Sequence, residues 1–351
     1  MKRNASRTRA AGVELDEKVA FLADARHYPH RPGAVQTIET HFAWIFIAGE
    51  RAYKLKKPLH QASMDYRTVA LRERACRVEL VLNRRLAPHV YRRLVPLRRA
   101  SDGHLMIRAG AGGVVDWVVQ MRRLPQERML DRAIGAHHVA AGDRERVVRC
   151  LVSFFRRARA LPMPDRAYRT YTREQIHVSA RTLHARDLGL AAERVDRVIR
   201  LQLGWMVRHG ELLRGRGALL RDGHGDLRPE HVFLGTARQS ACVIDCLEFD
   251  SRLRRMDPAE EMAFLALECT RLGAARLARD LLERYAHAMH DPLPRALTAF
   301  YMSRRAVVRA QIAAWHLRDP AFARSARQWR ARAYSYLDDA LLHLRRADRG
   351  A

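Results

Sequence analysis

Apolar and polar positions along the chain fall into two regimes. Strand-length apolar runs dominate up to Met121, and helix-period patterns dominate from Leu130 onward. Phe42 to Ala48 is the longest apolar stretch and is strand-sized, far short of a membrane span. In the next strand, Ala52, Lys54 and Lys56 share one face while Tyr53 and Leu55 share the other. A helix rich in arginine and leucine is expected from about Tyr66 to Leu86, with Pro88 beyond its end as a stop signal. Strand patterns resume at Val90 to Leu97, Leu105 to Arg108 and Val114 to Met121. Asp143 is then expected to cap a helix running to about Leu161, Thr172 to open another, and Ala191 to begin a long one ending near Leu213. Further helices are expected near Pro258 to Leu272, Ala274 to His290, Pro294 to Leu317 and Pro320 to Arg346. Strands early and helices late predict an α+β chain with a small sheet lobe and a large helical lobe.

Inside the helical half, two short apolar segments interrupt the pattern. Val232 to Leu234 and Ala241 to Ile244 read as paired strands that bring the polar loop before the first and Asp245 after the second to one mouth. That loop is His224-Gly225-Asp226-Leu227-Arg228-Pro229-Glu230-His231. A phosphoryl acceptor needs a carboxylate to orient its hydroxyl, and a triphosphate needs a divalent cation held by oxygen ligands. Asp226 is placed for the first role and Asp245 for the second. Gly225 permits a tight backbone and Pro229 stiffens the loop. Either aspartate alone would pass as a turn residue or a strand-end cap; the ordered set is more specific.

Composition sets outer limits. With 351 residues, 48% of them hydrophobic, the chain can bury a full core. A net charge of +27 invites a polyanion partner, but the arginines are spread along nearly every helix and no nucleic-acid-binding motif accompanies them. That dispersal argues against a nucleic-acid partner. The basic first residues lead into Glu14-Leu15-Asp16-Glu17 without an apolar signal core, so a tail over 1–27, partly disordered, and a cytoplasmic enzyme without a membrane partner are expected. The five cysteines (Cys76, Cys150, Cys242, Cys246 and Cys269) lack metal-ligand pairing and read as reduced thiols. The sharper clue lies in the lysines. Of 65 basic residues only five are lysine (Lys2, Lys18, Lys54, Lys56 and Lys57), and three of these fall within four positions. Where arginine serves for nearly every other cation, lysine at that spot suggests a compact ammonium reaching a phosphate.

The His-Gly-Asp loop followed by Ile244-Asp245 resembles the aminoglycoside phosphotransferase-like family of the protein-kinase-like fold. Met256-Asp257-Pro258 and Glu261-Met262-Ala263 resemble that family's Gly-Asp-Pro and Asp-Leu-Ala. Thr40-His41, Ala52 to Pro58 and Leu82 to Pro88 are similar to a largely uncharacterised bacterial branch, sometimes fused to a P-loop kinase domain. The likeness covers roughly residues 28 to 320. It implies a bilobal fold, with an N-lobe over 28–121, a hinge near 121–125 and the C-lobe over 122–351, together one kinase-like domain. It also implies ATP and Mg²⁺ as cofactors and a small-molecule hydroxyl as acceptor. In that setting Lys54, with Lys56 in reserve, grips the α and β phosphates, and Glu79 on the following helix pairs with it. Backbone from Gln120 to Arg123, Met121 and Arg123 included, would meet the adenine edge. Asp226 orients the acceptor, Asp245 holds the metal, His224 supports the loop and Asp257 is structural.

Three departures limit the resemblance. Glu39-Thr40-His41-Phe42 stands where a glycine-rich phosphate loop is expected, leaving backbone amides, Thr40 or His41 as phosphate contacts. His231 occupies the position of an asparagine that ligates a second metal; imidazole is a poor magnesium ligand, so His231 acts through water or the metal rests on Asp245 with help from Glu248. Cys246-Leu247-Glu248 replaces the Phe-Gly pair after Asp245, so no regulatory flip is implied. Polycationic aminoglycosides fit poorly with the overall charge, although Glu248, Asp250, Glu260 and Glu261 could form a local acidic patch. Competing readings are a catalytically silent nucleotide-binding module and a basic nucleic-acid-associated protein.

Overall fold

The computed structural model describes residues 13–61, 64–107, 110–236, 239–318 and 324–349. The chain forms two compact units, one of Met1–Pro125 with Glu248–Asp250 and one of Gln126–Leu247 with Ser251–Ala351. The first is a sheet unit and the second is mostly helical.

The sheet unit opens with helix α1, Leu15–Ala23, followed by β1, Val35–Glu39, β2, Ala43–Ala48, and β3, Arg51–Lys56. A small hairpin of β4, His60–Gln61, and β5, Met64–Asp65, leads into helix α2, Val69–Arg84. The strands β6, Tyr91–Arg99, β7, Leu105–Ile107, and β8, Gly113–Arg122, complete an antiparallel sheet of order β1-β2-β3-β8-β6-β7. Phe46, Tyr53, Leu55, Leu97 and Val118 fill its core, each burying an apolar side chain worth about 1.5–3 kcal/mol. Residues 15–23, assigned to a tail from sequence, instead form α1, because Phe21 and Leu22 join this core. Lys18 secures the helix: its Nζ donates to Asp116 Oδ2 on β8 at 2.8 Å, and Arg72 of α2 grips the same carboxylate through Nε at 2.8 Å and Nη2 at 2.7 Å. Burying three charges is tolerable because each is paired and hydrogen-bonded. The remainder of the expected tail, 1–12, lies outside the described residues, as does Arg108.

In the helical unit α3, Leu130–Gly135, α4, Ala141–Arg157, α5, Asp165–Leu183, and α6, Ala192–Arg208, precede the loop region. Two short antiparallel pairs follow: β9, Arg221–Asp222, with β12, Arg255–Met256, and β10, Val232–Phe233, with β11, Cys242–Val243. Helices α7, Pro258–Arg271, α8, Ala275–Met289, α9, Arg295–Trp315, and α10, Ala326–Arg349, complete the unit. Residues 258–269 of α7 are all buried, which marks it as the central helix. Asp257 caps it, accepting from the Ala259 amide at 2.9 Å while binding Arg216 Nε at 2.7 Å and the Tyr301 hydroxyl at 2.8 Å.

Two helix starts differ from the sequence reading. Asp143 is the third residue of α4, not its cap, and reaches back to the Ala140 amide at 3.0 Å. Thr172 lies buried in the middle of α5, one turn from buried Tyr168 and Ile176; the helix begins after Pro164. Pro320 lies outside the described residues, and among the described residues no helix is long and apolar enough to cross a membrane.

Candidate active site

The lysine strand forms one candidate cluster within the sheet unit. Lys54 and Lys56 lie two apart on β3, so both project toward α2, where Glu79 is fully buried. Lys54 Nζ is 2.9 Å from Glu79 Oε1 and Lys56 Nζ is 2.6 Å from Oε2. Lys56 also pairs with Glu248, whose Oε1 accepts from the Tyr66 hydroxyl at 2.7 Å. The Lys56 side chain is 2% exposed and that of Lys54 13%, so Lys54 is the more accessible ammonium. Burial opposes the charge on Lys56, yet Glu248 and Glu79 hold its pKa well above the ordinary lysine value. Lys57 leaves this cluster, pairing with Glu39 above the Trp44 ring.

The other nucleotide candidates in this unit have structural partners. The Thr40 hydroxyl donates to Ala43 O at 2.8 Å and accepts from the Ala43 amide at 3.0 Å, closing the β1–β2 turn. His41 Nε2 accepts from Gln61 Nε2 at 3.0 Å. Met121 is buried on β8 opposite Ala52. The Arg122 amide donates to Val90 O at 2.8 Å and the Arg123 amide to Glu50 O at 3.0 Å, so these two amides are committed to the sheet.

The helical unit carries the His-Gly-Asp loop. Glu261, in the first turn of α7, accepts from the His224 amide at 3.0 Å and the Gly225 amide at 2.5 Å. This close approach requires Gly223, since a Cβ there would lie 2.8 Å from the Glu261 carboxyl. Gly225 takes a φ of +86°, which a side chain resists. His224 is fully buried; its Nε2–H donates to Ile244 O at 2.9 Å and its Nδ1 accepts from the Asp226 amide at 3.2 Å. Burial, reinforced by nearby His231, lowers its pKa to about 4, so the ring is neutral and cross-links the loop to the strand before Asp245.

Asp226 is gripped by Arg228, whose Nε donates to Oδ2 at 3.0 Å and whose Nη2 lies 2.9 Å from the same oxygen. Burial would push the Asp226 carboxyl up, but the charge of Arg228, with His231 and Arg309 beyond it, brings it below the ordinary value. His231 Nδ1–H donates to the Asp226 carbonyl at 2.9 Å, and its Nε2 accepts from Arg228 Nη2 at 3.2 Å. Asp245 lies 3.7 Å from that nitrogen, in the left-handed region at φ +63°, with its side chain 45% exposed. Among the described residues no three His, Cys, Asp or Glu side chains gather as a metal cage. An exposed carboxylate without a cage fits Mg²⁺, which binds through one or two carboxylates and completes its shell with phosphate and water. Glu248 is engaged by Lys56 and Tyr66 in the sheet unit.

Comparison with solved structures identifies this architecture. A choline/ethanolamine kinase family protein from Mesorhizobium loti aligns over 94% of this chain and 98% of its own, with 15% identity and a TM-score of 0.51. A mutant aminoglycoside 2′-phosphotransferase-IIIa in complex with GDP covers 93% and 97%, with 12% identity and a TM-score of 0.54. A glucosamine kinase in complex with glucosamine, ADP and inorganic phosphate covers 96% and 88%, with 16% identity and a TM-score of 0.50. The chain has a protein-kinase-like fold. The α+β, sheet-then-helix architecture expected from sequence is the one found. In sequence, this kinase-like chain is 32% identical over 285 residues to uncharacterized proteins of Mycobacterium bovis and Mycobacterium tuberculosis. That alignment takes in 78% of this chain but about half of those curated relatives' length, 53%. No family model matches the chain.

Two residues of this candidate site were not assigned roles from sequence. Arg228 had a signal, a cation two residues after the loop aspartate and three before His231. Glu261 was visible as a substitute for the family aspartate and as a member of a candidate acidic patch, but not as a loop anchor, because backbone amides as partners leave no trace in side-chain spacing.

Proposed function

We propose that this chain transfers the γ-phosphoryl group of ATP to a hydroxyl of a small molecule. The observation that carries the reading is Asp226, a carboxylate held ionised on a loop whose backbone Glu261 and His224 pin. Asp226 would orient the acceptor hydroxyl and take its proton as the oxygen attacks. Lys54, the more accessible ammonium on Glu79, would bind the α and β phosphates, and Lys56 would hold the cluster together. Mg²⁺ entering with the nucleotide would be held by Asp245 and the phosphates and would neutralise charge on the transferred group. Nucleotide contacts by Thr40, His41, Met121 or Arg123 would then come from backbone or rearranged side chains.

The acceptor is a metabolite or sugar hydroxyl in preference to an aminoglycoside. Of the carboxylates that could have formed an acidic patch, Glu248 pairs with Lys56, Glu260 with Arg304 at 2.9 Å, and Glu261 with two amides. A cytoplasmic setting agrees with ATP as donor. The test is transfer from labelled ATP with Mg²⁺ or Mn²⁺ to a panel of metabolites and aminoglycosides, beside Asp226→Ala. Turnover by the wild type alone supports the assignment, and equal turnover by the variant overturns it. ATP binding without transfer to any acceptor favours a nucleotide-binding module.

A further inference from the structure

We infer that Arg228 is a built-in second cation, so that this chain takes up one divalent ion with its nucleotide where kinase-like sites take up two. The inference rests on the phosphotransferase reading. In kinases the second ion is held by a catalytic-loop asparagine, and His231 stands at that position. Its Nδ1–H is spent on the Asp226 carbonyl at 2.9 Å, which leaves the lone pair on Nε2. A guanidinium N–H of Arg228 already occupies that lone pair at 3.2 Å. The same guanidinium binds Asp226 Oδ2 at 2.9 and 3.0 Å and pairs with Glu230. A divalent ion on Nε2 would have to expel a partly buried cation, 16% exposed, from three partners.

The chemistry of the substitution is consistent across the cluster. An imidazole that accepts from a guanidinium has no counterpart in an asparagine that offers its oxygen to magnesium. The arginine side chain cannot lose its charge, so the positive centre is present at every pH and every metal concentration. Asp245 remains reachable for the ion that arrives with the nucleotide, its carboxylate being 45% exposed.

The test counts ions instead of turnover. The full chain is saturated with a non-hydrolysable ATP analogue and titrated with Mn²⁺, with free Mn²⁺ read by electron paramagnetic resonance. One Mn²⁺ per bound analogue is expected for the wild type, and a second for the double variant Arg228→Ala with His231→Asn. Two ions in the wild type, with analogue bound, overturn this inference and leave the phosphotransferase reading standing. One ion in a double variant that melts like the wild type also overturns it. No analogue bound by the wild type overturns both. Should the double variant fold poorly, the wild-type count decides.

Discussion

In the sheet unit, Lys54 and Lys56 share the carboxylate of Glu79, and Lys56 reaches on to Glu248. In the helical unit, Arg228 grips Asp226, Glu230 and His231 at once, and Arg216 grips Asp257 and Asp291. Both units bury charge, the lysine cluster around Glu79 with ammonium groups and the helical unit's loops with guanidinium groups. An ammonium is a point charge that can turn from a carboxylate to a phosphate without losing a fixed geometry. A guanidinium is a planar fork whose bonds hold their partners in place. The lesson is specific to these clusters: Lys54 would receive a ligand, Arg228 and Arg216 keep loops rigid, and Lys18 and Lys56 show lysine serving structure as well. Arg72, which binds Asp116 beneath α2, shows that the sheet unit too uses arginine for structure.

The largest effect should come from the helical unit. Asp226→Asn is expected to lower kcat by about 10²–10⁴-fold, the usual contribution of a positioned general base, with nucleotide affinity unchanged by calorimetry. Loss of nucleotide affinity on the same scale would break the division between units. Within the sheet unit, Lys56→Met should destabilise by about 3–5 kcal/mol in urea unfolding, because Glu248 and part of Glu79 are left as buried, uncompensated charges. Lys54→Met should destabilise less than Lys56→Met, because Glu79 keeps Lys56 and Lys54 itself is partly exposed. Its cost appears in nucleotide affinity, roughly 10-fold to 100-fold for one lost charge-assisted hydrogen bond of about 1.5–3 kcal/mol. The opposite assignment would place the phosphate ammonium on Lys56.

A third effect is read by pH. His224 has its pKa lowered to about 4 from an ordinary 6.5. Above pH 6.5 the ring is neutral whether folded or unfolded. As pH falls from there to about 4, the unfolded chain takes up a proton that the folded loop refuses, which removes about 3 kcal/mol of stability. Buried His343 is shifted the same way, to about 4, so the wild type carries both contributions. His224→Asn should therefore reduce the difference in unfolding free energy between pH 7.5 and 4.5. An unchanged difference would show that this ring is not neutral by burial.

Local chemistry was legible in sequence, and long-range partnership was not. The pairing of Val232 with Val243 follows from two short apolar runs close in sequence, and the position of Glu79 follows from helical spacing relative to Leu82. The position of Ala52 two residues before Lys54 favours it over Lys56, whereas the pairing of Lys56 with Glu248 left no local trace, since Glu248 lies 192 residues away. Helix α1 was read as tail for the same reason: Lys18 finds its carboxylate 98 residues on. Thr172 was misplaced because a polar residue before a helical pattern looks like a cap, while its burial depends on packing that no local spacing reveals.

The smallest effect tests the comparison most directly. Glu261 presents two carboxylate oxygens to two amides, those of His224 and Gly225. Glu261→Gln is nearly isosteric but offers one acceptor oxygen and turns an N–H₂ donor toward the other amide. One buried N–H then loses its partner, at a cost of about 1–3 kcal/mol. That cost falls on the loop carrying Asp226 and not on the lysine strand. The expected signature is a reduced kcat with an unchanged KM for ATP, and a hydrogen-exchange increase confined to the loop. If Glu261→Gln weakened ATP binding as much as it slowed transfer, the two units would not divide the work between receiving the nucleotide and holding the acceptor base.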